Sequence, residues 1–372
     1  MLNIKKHILL ICANSQSVIN FRSSLITNLI NEGCIVSVLA FDDIYRSEIE
    51  LLGCQFFVVD DNNRSINPFK ILTLKNKYVK FIKNIKPDDI LTFMLKPNVF
   101  GTLAAKKCKV KNVFCMVEGA GDAFTYRNFK WKIIKKVICF LYKRAFNVAK
   151  KVFFLNNDDL SEFVNLKLVK KEQAIKINGI GVDLEKFKYH PLVNYNNFLM
   201  VSRLKKAKGV FEYCELARKI KNKYKEANFN LLGAEGDIKV SDIQEYIDDG
   251  SINYLGFSKN VLPTLVDSTC LVLLSHREGL PMSIMEALSV GRIIITSDSI
   301  GCRESIIDGE HGFIVSLDNN NAFDKIEWIL NNKETLDEMS CKCRKFAEEV
   351  YDQKKINEII IEEVLKWKFC MF

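Results

Sequence analysis

Residues 275–315 read SHREGLPMSIMEALSVGRIIITSDSIGCRESIIDGEHGFIV, and the fold turns on how this stretch divides. A short apolar run, Cys270–Leu274, leads into it with the character of a buried parallel strand. The chain breaks at Gly279, restarts as a helix at Pro281 and stops at Gly291; proline and glycine stand where helix boundaries favour them. A second apolar run, Ile293–Thr296, follows at once. Strand, loop, helix and strand make the unit of an open α/β sheet, which binds ligands beyond the carboxyl ends of its strands. The free N–H groups and positive dipole end of the helix suit a phosphate there.

Two carboxylates define that phosphate's company. Glu278 lies in the loop and Glu286 in the helix. A bare anion site would exclude both. A ligand with a central diphosphate and hydroxyl-bearing groups at either end would use them, since a carboxylate accepts two hydroxyl donors at once. A sugar nucleotide is such a ligand; the competing reading is a solvated helix with two surface glutamates. The Glu-x7-Glu string EGLPMSIME, with Gly301-Cys302-Arg303-Glu304 after it, resembles the donor site of family 4 retaining glycosyltransferases. The resemblance implies that Glu286 holds the ribose hydroxyls and Glu278 faces the donor sugar. Gly279, Leu280, Pro281, Met282 and Ser283 would complete the donor-binding turn.

Working outward, 372 residues suffice for two domains, each with its own core. Twelve cysteines are scattered without CxxC or zinc spacing, and no secretory signal precedes the first strand, so they read as reduced thiols of a cytoplasmic protein. No apolar run reaches the ~18–20 residues that span a bilayer. The net charge of +9 is uneven: residues 1–190 carry 31 Lys+Arg against 17 Asp+Glu, and the remainder is mildly acidic. The basic half is expected to face a polyanion or an anionic membrane.

In that half, His7–Ala13 reads as the first strand and the next helix is expected near Asn20. The turn between them, containing Asn14 and Ser17, lacks the G-x-G-x-x-G of a dinucleotide fold. Apolar runs at Ile35–Phe41, Gln55–Val59, Ile90–Phe93 and Asn112–Val117 alternate with helical stretches, the pattern of a doubly wound parallel sheet. Three strand-end loops would share one edge: the segment with Arg64, Lys96-Pro97-Asn98, and Glu118-Gly119-Ala120-Gly121-Asp122. Asn14, Ser17, Arg64, Lys96, Glu118 and Gly119 are the expected acceptor-side residues. The VEG-x-G form resembles a bacterial subgroup acting on polyprenyl-diphosphate-linked sugars, which implies that Glu118 contacts a sugar or acceptor hydroxyl.

Arg127–Lys151 contains nine basic residues and no acidic one. Phe129, Ile133, Ile134, Val137, Phe140 and Leu141 recur at helical spacing, so the segment reads as a helix on an anionic membrane, with Trp131 and Tyr142 as interfacial anchors. Phe69–Lys86 repeats the theme more weakly; for both segments the alternative is a helix packed on the sheet with a solvated basic face. No nucleic-acid motif accompanies the charge.

Tyr189–Asn197 reads as an interdomain linker, giving expected domains 1–190 and 191–352, with a C-terminal helix from 353. Phe198–Ser202 opens the second domain; Arg203 and Lys208 in the following turn match the family's pair on the donor diphosphate, and Gly256-Phe257 is expected near the uracil. Lys325–Met339 reads as one closing helix. The string contains no D-x-D, so no metal is expected; Arg203, Lys208 and the helix amides would stabilise the leaving group, with Glu118 and Glu278 completing the catalytic set.

The resemblance implies a GT-B architecture: two Rossmann-like α/β domains facing across a cleft, the last helix crossing back to the first. Its closest form is like bacterial N-acetylgalactosaminyltransferases that extend undecaprenyl-diphosphate-linked sugars. The expected reaction is retaining, metal-independent transfer of an N-acetylhexosamine (GalNAc, α-1,3) from a UDP-sugar in O-antigen, capsule or glycan assembly, at the cytoplasmic face of the membrane. A UDP-sugar epimerase and a non-catalytic membrane adaptor remain as alternatives.

Overall fold

The computed structural model describes residues 6–59, 68–125, 128–317 and 319–365. It divides into two units, parting between Ile180 and Gly181 and again between Gln353 and Lys354. In the first unit, strands β1 (His7–Ile11), β2 (Ile35–Ala40), β3 (Gln55–Val58), β4 (Asp89–Phe93), β5 (Asn112–Val117), β6 (Lys151–Phe154) and β7 (Ala174–Lys176) lie in the order β3-β2-β1-β4-β5-β6-β7. Every neighbouring pair is parallel. The chain winds outward from β1 to β3 and then returns to β4, so the winding reverses between β1 and β4.

The second unit repeats the plan. Strands β8 (Asn197–Val201), β9 (Asn228–Leu232), β10 (Asn253–Tyr254), β11 (Cys270–Leu273), β12 (Ile293–Ser297) and β13 (Gly312–Val315) lie in the order β10-β9-β8-β11-β12-β13, again parallel throughout. Its reversal lies between β8 and β11. The central strands β1, β5, β11 and β12 are buried and read as near-continuous apolar runs, which is what burial on two faces selects, while the edge strands β3, β7 and β10 are partly exposed. Each unit is the doubly wound, Rossmann-like sheet expected of a GT-B protein.

Several boundaries differ from the sequence expectation. The first helix runs Ser15–Asn31, starting five residues early because Asn14 caps it: its side chain accepts from Ser17 N at 2.7 Å. Lys96-Pro97-Asn98 is no loop; it opens a π-helix, Pro97–Gly101, that continues as helix Thr102–Lys107. Buried Asn98 donates to Met116 O at 2.8 Å and accepts from Thr92 Oγ1 at 2.7 Å. The expected linker sits within the second unit, because Val182 N bonds Tyr351 O at 2.8 Å and Arg344 Nη1 bonds Phe187 O at 2.7 Å. The helix expected over Lys325–Met339 is two, Asn319–Asn331 and Lys333–Val350, parted at Asn332.

The last helix, Gln353–Leu365, joins the first unit, where Asn357 Nδ2 reaches Ser24 Oγ at 2.9 Å and Lys6 Nζ reaches Val364 O at 2.7 Å. The helix Pro68–Ile85 buries Leu74, Tyr78, Val79 and Ile82 and leaves Lys80 and Lys83 exposed, the packed alternative rather than a membrane face. All described cysteines are free thiols. No helix among the described residues is long and apolar enough to cross a membrane.

Candidate active site

The reversal between β8 and β11 is where an open α/β sheet accepts a ligand, and the second unit's expected residues gather there. Arg203 leaves β8, exposed and joined to no side chain among the described residues. Lys208 ends a short 3₁₀ turn, Lys206–Lys208, and forms an ion pair with Glu278 from the loop after β11. Ser275 Oγ donates to the same Glu278 oxygen at 2.6 Å, and Glu278 N bonds Ile300 O at 2.9 Å. His276 N bonds Ala207 O at 2.9 Å, closing the loop onto the lysine turn.

Two glycines permit this closeness. Gly209 has φ +76° and a Cβ there would lie 2.1 Å from Leu274 O. Gly301 has φ +78°, and its Cβ would lie 2.3 Å from Glu278 O and 2.7 Å from Gly279 O. Only glycine lets three loops converge on one carboxylate.

The helix Met282–Ser289 points its first turn at this place. Pro281 precedes it with an extended backbone and, having no polar side chain, leaves the first N–H groups without a side-chain cap. Gly279, Leu280 and Pro281 are buried, and Met282 and Ser283 half-buried. A diphosphate would meet uncapped amides, Arg203 and Lys208 together. Glu278 next to it would repel the anion, but Lys208 neutralises that carboxylate.

Glu286 lies on the same helix, half-buried, with no hydrogen bond to its carboxylate among the described residues. Burial raises its pKa to about 7, opposed weakly by the charge of Lys186. A desolvated carboxylate without donors has room for the hydroxyl pair of a ribose. Gly256, at φ +72°, accepts from Gly233 N at 2.7 Å, and Phe257 beside it is 59% exposed. Among the described residues no group of His, Cys, Asp and Glu could hold a metal ion.

In the first unit, Glu118 directly follows β5 and forms an ion pair with Arg22, an arginine only 4% exposed. Gly119 follows with φ +140°. Lys96 stands half-buried with its Nζ 5.9 Å from the Phe41 ring centroid. Asn14 and Ser17 spend polar atoms on the helix cap, Ser17 Oγ donating to Asn14 O at 2.8 Å. Arg64 lies outside the described residues.

Sequence reasoning missed Arg22, Ser275 and Lys186. Arg22 did leave a signal: it falls on the buried helical face with Val18, Leu25, Ile26 and Leu29, where a charge needs a partner. Ser275 stands three residues before Glu278 in the same loop, a hydroxyl within local reach of that carboxylate; Lys186 left no signal, since it acts on a residue met only through the fold.

Two doubly wound parallel sheets in one chain, the second with cations and an uncapped helix start at its reversal point, give the architecture of a GT-B enzyme, and the chain belongs to the glycosyl transferases group 1. That family's sequence pattern matches residues 182–346. The chain is similar to the N,N'-diacetylbacillosaminyl-diphospho-undecaprenol alpha-1,3-N-acetylgalactosaminyltransferase of Campylobacter jejuni, 30% identical over 332 residues, spanning 85% of this chain and 87% of that one. It is also similar to the UDP-Gal:alpha-D-GlcNAc-diphosphoundecaprenol alpha-1,3-galactosyltransferase of Escherichia coli, 27% identical over 77% of this chain and 78% of the relative. Among solved structures, Anabaena HepE in complex with UDP and glucose shares the fold with a TM-score of 0.80 at 16% identity, covering 96% of this chain and 98% of that one. The protein is a glycosyltransferase.

Proposed function

We propose that this glycosyltransferase moves an N-acetylhexosamine, GalNAc by analogy with the Campylobacter jejuni relative, from a UDP-sugar to an undecaprenyl-diphosphate-linked sugar, forming an α-1,3 linkage in O-antigen, capsule or glycan assembly. The observation that carries the donor class is the Lys208–Glu278 pair beside the uncapped first turn at Met282. The acceptor class is supported by the two relatives whose names specify undecaprenyl-diphosphate sugars.

In this reading the bond between the anomeric carbon and the diphosphate oxygen breaks, and UDP leaves with the electron pair. Arg203, Lys208 and the N–H groups at Met282 and Ser283 meet the growing charge, without metal. Glu278 accepts a hydroxyl of the donor sugar, Glu286 accepts the ribose hydroxyls, and Gly256-Phe257 flank the base. The acceptor hydroxyl bonds to the anomeric carbon on the face the diphosphate left, and its proton passes to the departing diphosphate. Glu118, Gly119, Lys96, Arg64, Asn14 and Ser17 form the acceptor side, with Glu118 accepting from a sugar hydroxyl. No protein nucleophile is assigned. The reaction belongs at the cytoplasmic face of an anionic membrane, where a prenyl-linked acceptor resides.

Incubation with a panel of UDP-sugars and a prenyl-diphosphate sugar, read by mass spectrometry, tests this. A lipid disaccharide from UDP-GalNAc supports it. Conversion of the UDP-sugar without acceptor identifies an epimerase, and absence of any transfer overturns the reading.

A further inference from the structure

The helix Phe129–Phe146 has two apolar sides, and only one is used by the fold. Asn128 caps it, accepting from Trp131 N at 3.1 Å. The inward side contributes Tyr142, Ala145 and Phe146 to the core, with Trp131, Ile134 and Leu141 packed against it. Tyr142 is 2% exposed and stacks on Phe146 at 4.8 Å between centroids, so neither it nor Trp131 is the free interfacial anchor that the sequence suggested. The outward side is unusual. Phe129 is 79%, Ile133 50%, Val137 54% and Phe140 59% exposed.

At about 100° per residue, these four side chains fall in one strip roughly 80° wide. Exposed Lys132, Lys136 and Lys143 border one side, Lys130 borders the other, and Arg144 closes the far end with its guanidinium 5.5 Å from the Phe140 centroid. Lys135, on the inward side, is engaged with Glu162 at 2.6 Å. No acidic residue interrupts the segment.

Four large apolar side chains in water need a cover. A protein groove lined by acids would suit the lysines but would leave the continuous apolar strip to chance complementarity. A lipid surface satisfies both at once: acyl chains take the strip, and anionic headgroups take a cationic border on both flanks. The helix also starts at the carboxyl edge of the first sheet, shortly after Glu118, which directly follows β5. A lipid-linked sugar held by that surface would be delivered to the edge where Glu118 stands.

We propose that the outward face formed by Phe129, Ile133, Val137 and Phe140, with its lysine borders, docks the enzyme on an anionic phospholipid bilayer, lying in the interface rather than spanning it. This deepens the acceptor reading above but does not require catalysis. With no helix among the described residues able to cross a bilayer, the contact is a peripheral one.

Flotation of the full chain with phosphatidylglycerol–phosphatidylethanolamine vesicles, without any sugar nucleotide, provides the test. The wild type should float, and less so as salt rises. Lys132→Glu/Lys136→Glu/Lys143→Glu should lose about a hundredfold in binding and any preference over phosphatidylcholine vesicles, at about a factor of five per lysine. Ile133→Asp/Phe140→Asp should lose a similar factor that salt does not restore. These positions are exposed, so both variants should keep the wild-type melting temperature and UDP affinity.

Wild-type vesicle binding that persists in both variants overturns the proposal. So does a wild-type dimer that Ile133→Asp/Phe140→Asp converts to monomer without changing flotation, which would assign the strip to a second copy. A chain that floats but transfers no sugar would refute the catalytic reading alone.

Discussion

Arg22 and Glu118 form an ion pair at the carboxyl edge of the first sheet, the arginine 4% and the glutamate 22% exposed. The guanidinium also sits 4.3 Å from the Phe93 ring centroid and donates to Phe21 O at 3.0 Å. Burial lowers its pKa to about 10, with the nearby Cys12 thiol acting the other way, so the charge persists at neutral pH. A helix residue thus fixes the orientation of a strand-end carboxylate more than ninety positions away.

If Glu118 accepts a hydroxyl from the acceptor, Arg22→Gln should raise the acceptor KM about tenfold while leaving the donor KM unchanged. Arg22→Lys should restore part of the loss, since an ammonium keeps the charge but not the fork. The double variant with Glu118→Gln should be little worse than either single change, because each removes the same contact. Additive losses would separate the two residues.

Lys208 serves two anions in the proposed complex, so its removal should exceed that of Arg203. Lys208→Ala leaves Glu278 uncompensated beside the diphosphate, and UDP affinity measured by calorimetry should fall by about a hundredfold or more, the order expected for charge-assisted bonds of roughly 1.5–3 kcal/mol. Arg203→Ala should cost about tenfold. Pairing Lys208→Ala with Glu278→Gln should recover part of the loss, and no recovery would mean that Glu278 does not repel the ligand.

Glu286 should make UDP binding depend on pH. Its empty-state pKa is raised to about 7, and ribose hydroxyls donate to the ionised form, so binding lowers that pKa and releases a proton. Affinity should therefore rise with pH up to about 7 and level off above it. Glu286→Gln should remove this component, leaving only the ionisation of UDP itself, and should weaken binding several tenfold. The folded state binds the carboxyl proton more tightly than the unfolded chain, so ionisation costs stability as pH rises from the ordinary carboxylate range to about 7. The glutamine variant should accordingly melt higher than wild type at pH 8.

Gly301→Ala introduces a Cβ 2.3 Å from Glu278 O at a φ of +78°. The Glu278 loop must retreat, so transfer should drop at least a hundredfold while the thermal transition shifts by only a few degrees, a loss of about 1–2 kcal/mol. Wild-type turnover in this variant would remove the loop's position from the mechanism.

Much of this was legible in the string. The central strands are apolar on both faces and so stand out, and EGLPMSIME keeps loop, helix start and both glutamates in one segment. The division of the helix Phe129–Phe146 was not, because Ile133 and Ile134 are equally apolar and only the neighbouring helices decide which turns inward. The first helix was misplaced because Asn14 was read as part of a loop rather than as a cap. The charge of Lys186 acts on Glu286 from a stretch close to the expected domain boundary, and nothing local in either segment records that influence.

The two sheets share one winding plan yet differ at the amino ends of the helices beside their reversal points. In the first, Asn14 plugs the helix start and Ser15 Oγ donates to Asp42, so a polypeptide acid and amide already occupy what a phosphate would want. In the second, Pro281 offers nothing and the amides stand open. The helix after β1 is thus sealed by the protein's own side chains while the helix after β11 is left unsealed, and in the proposed complex that contrast directs a charged nucleotide to the second sheet alone.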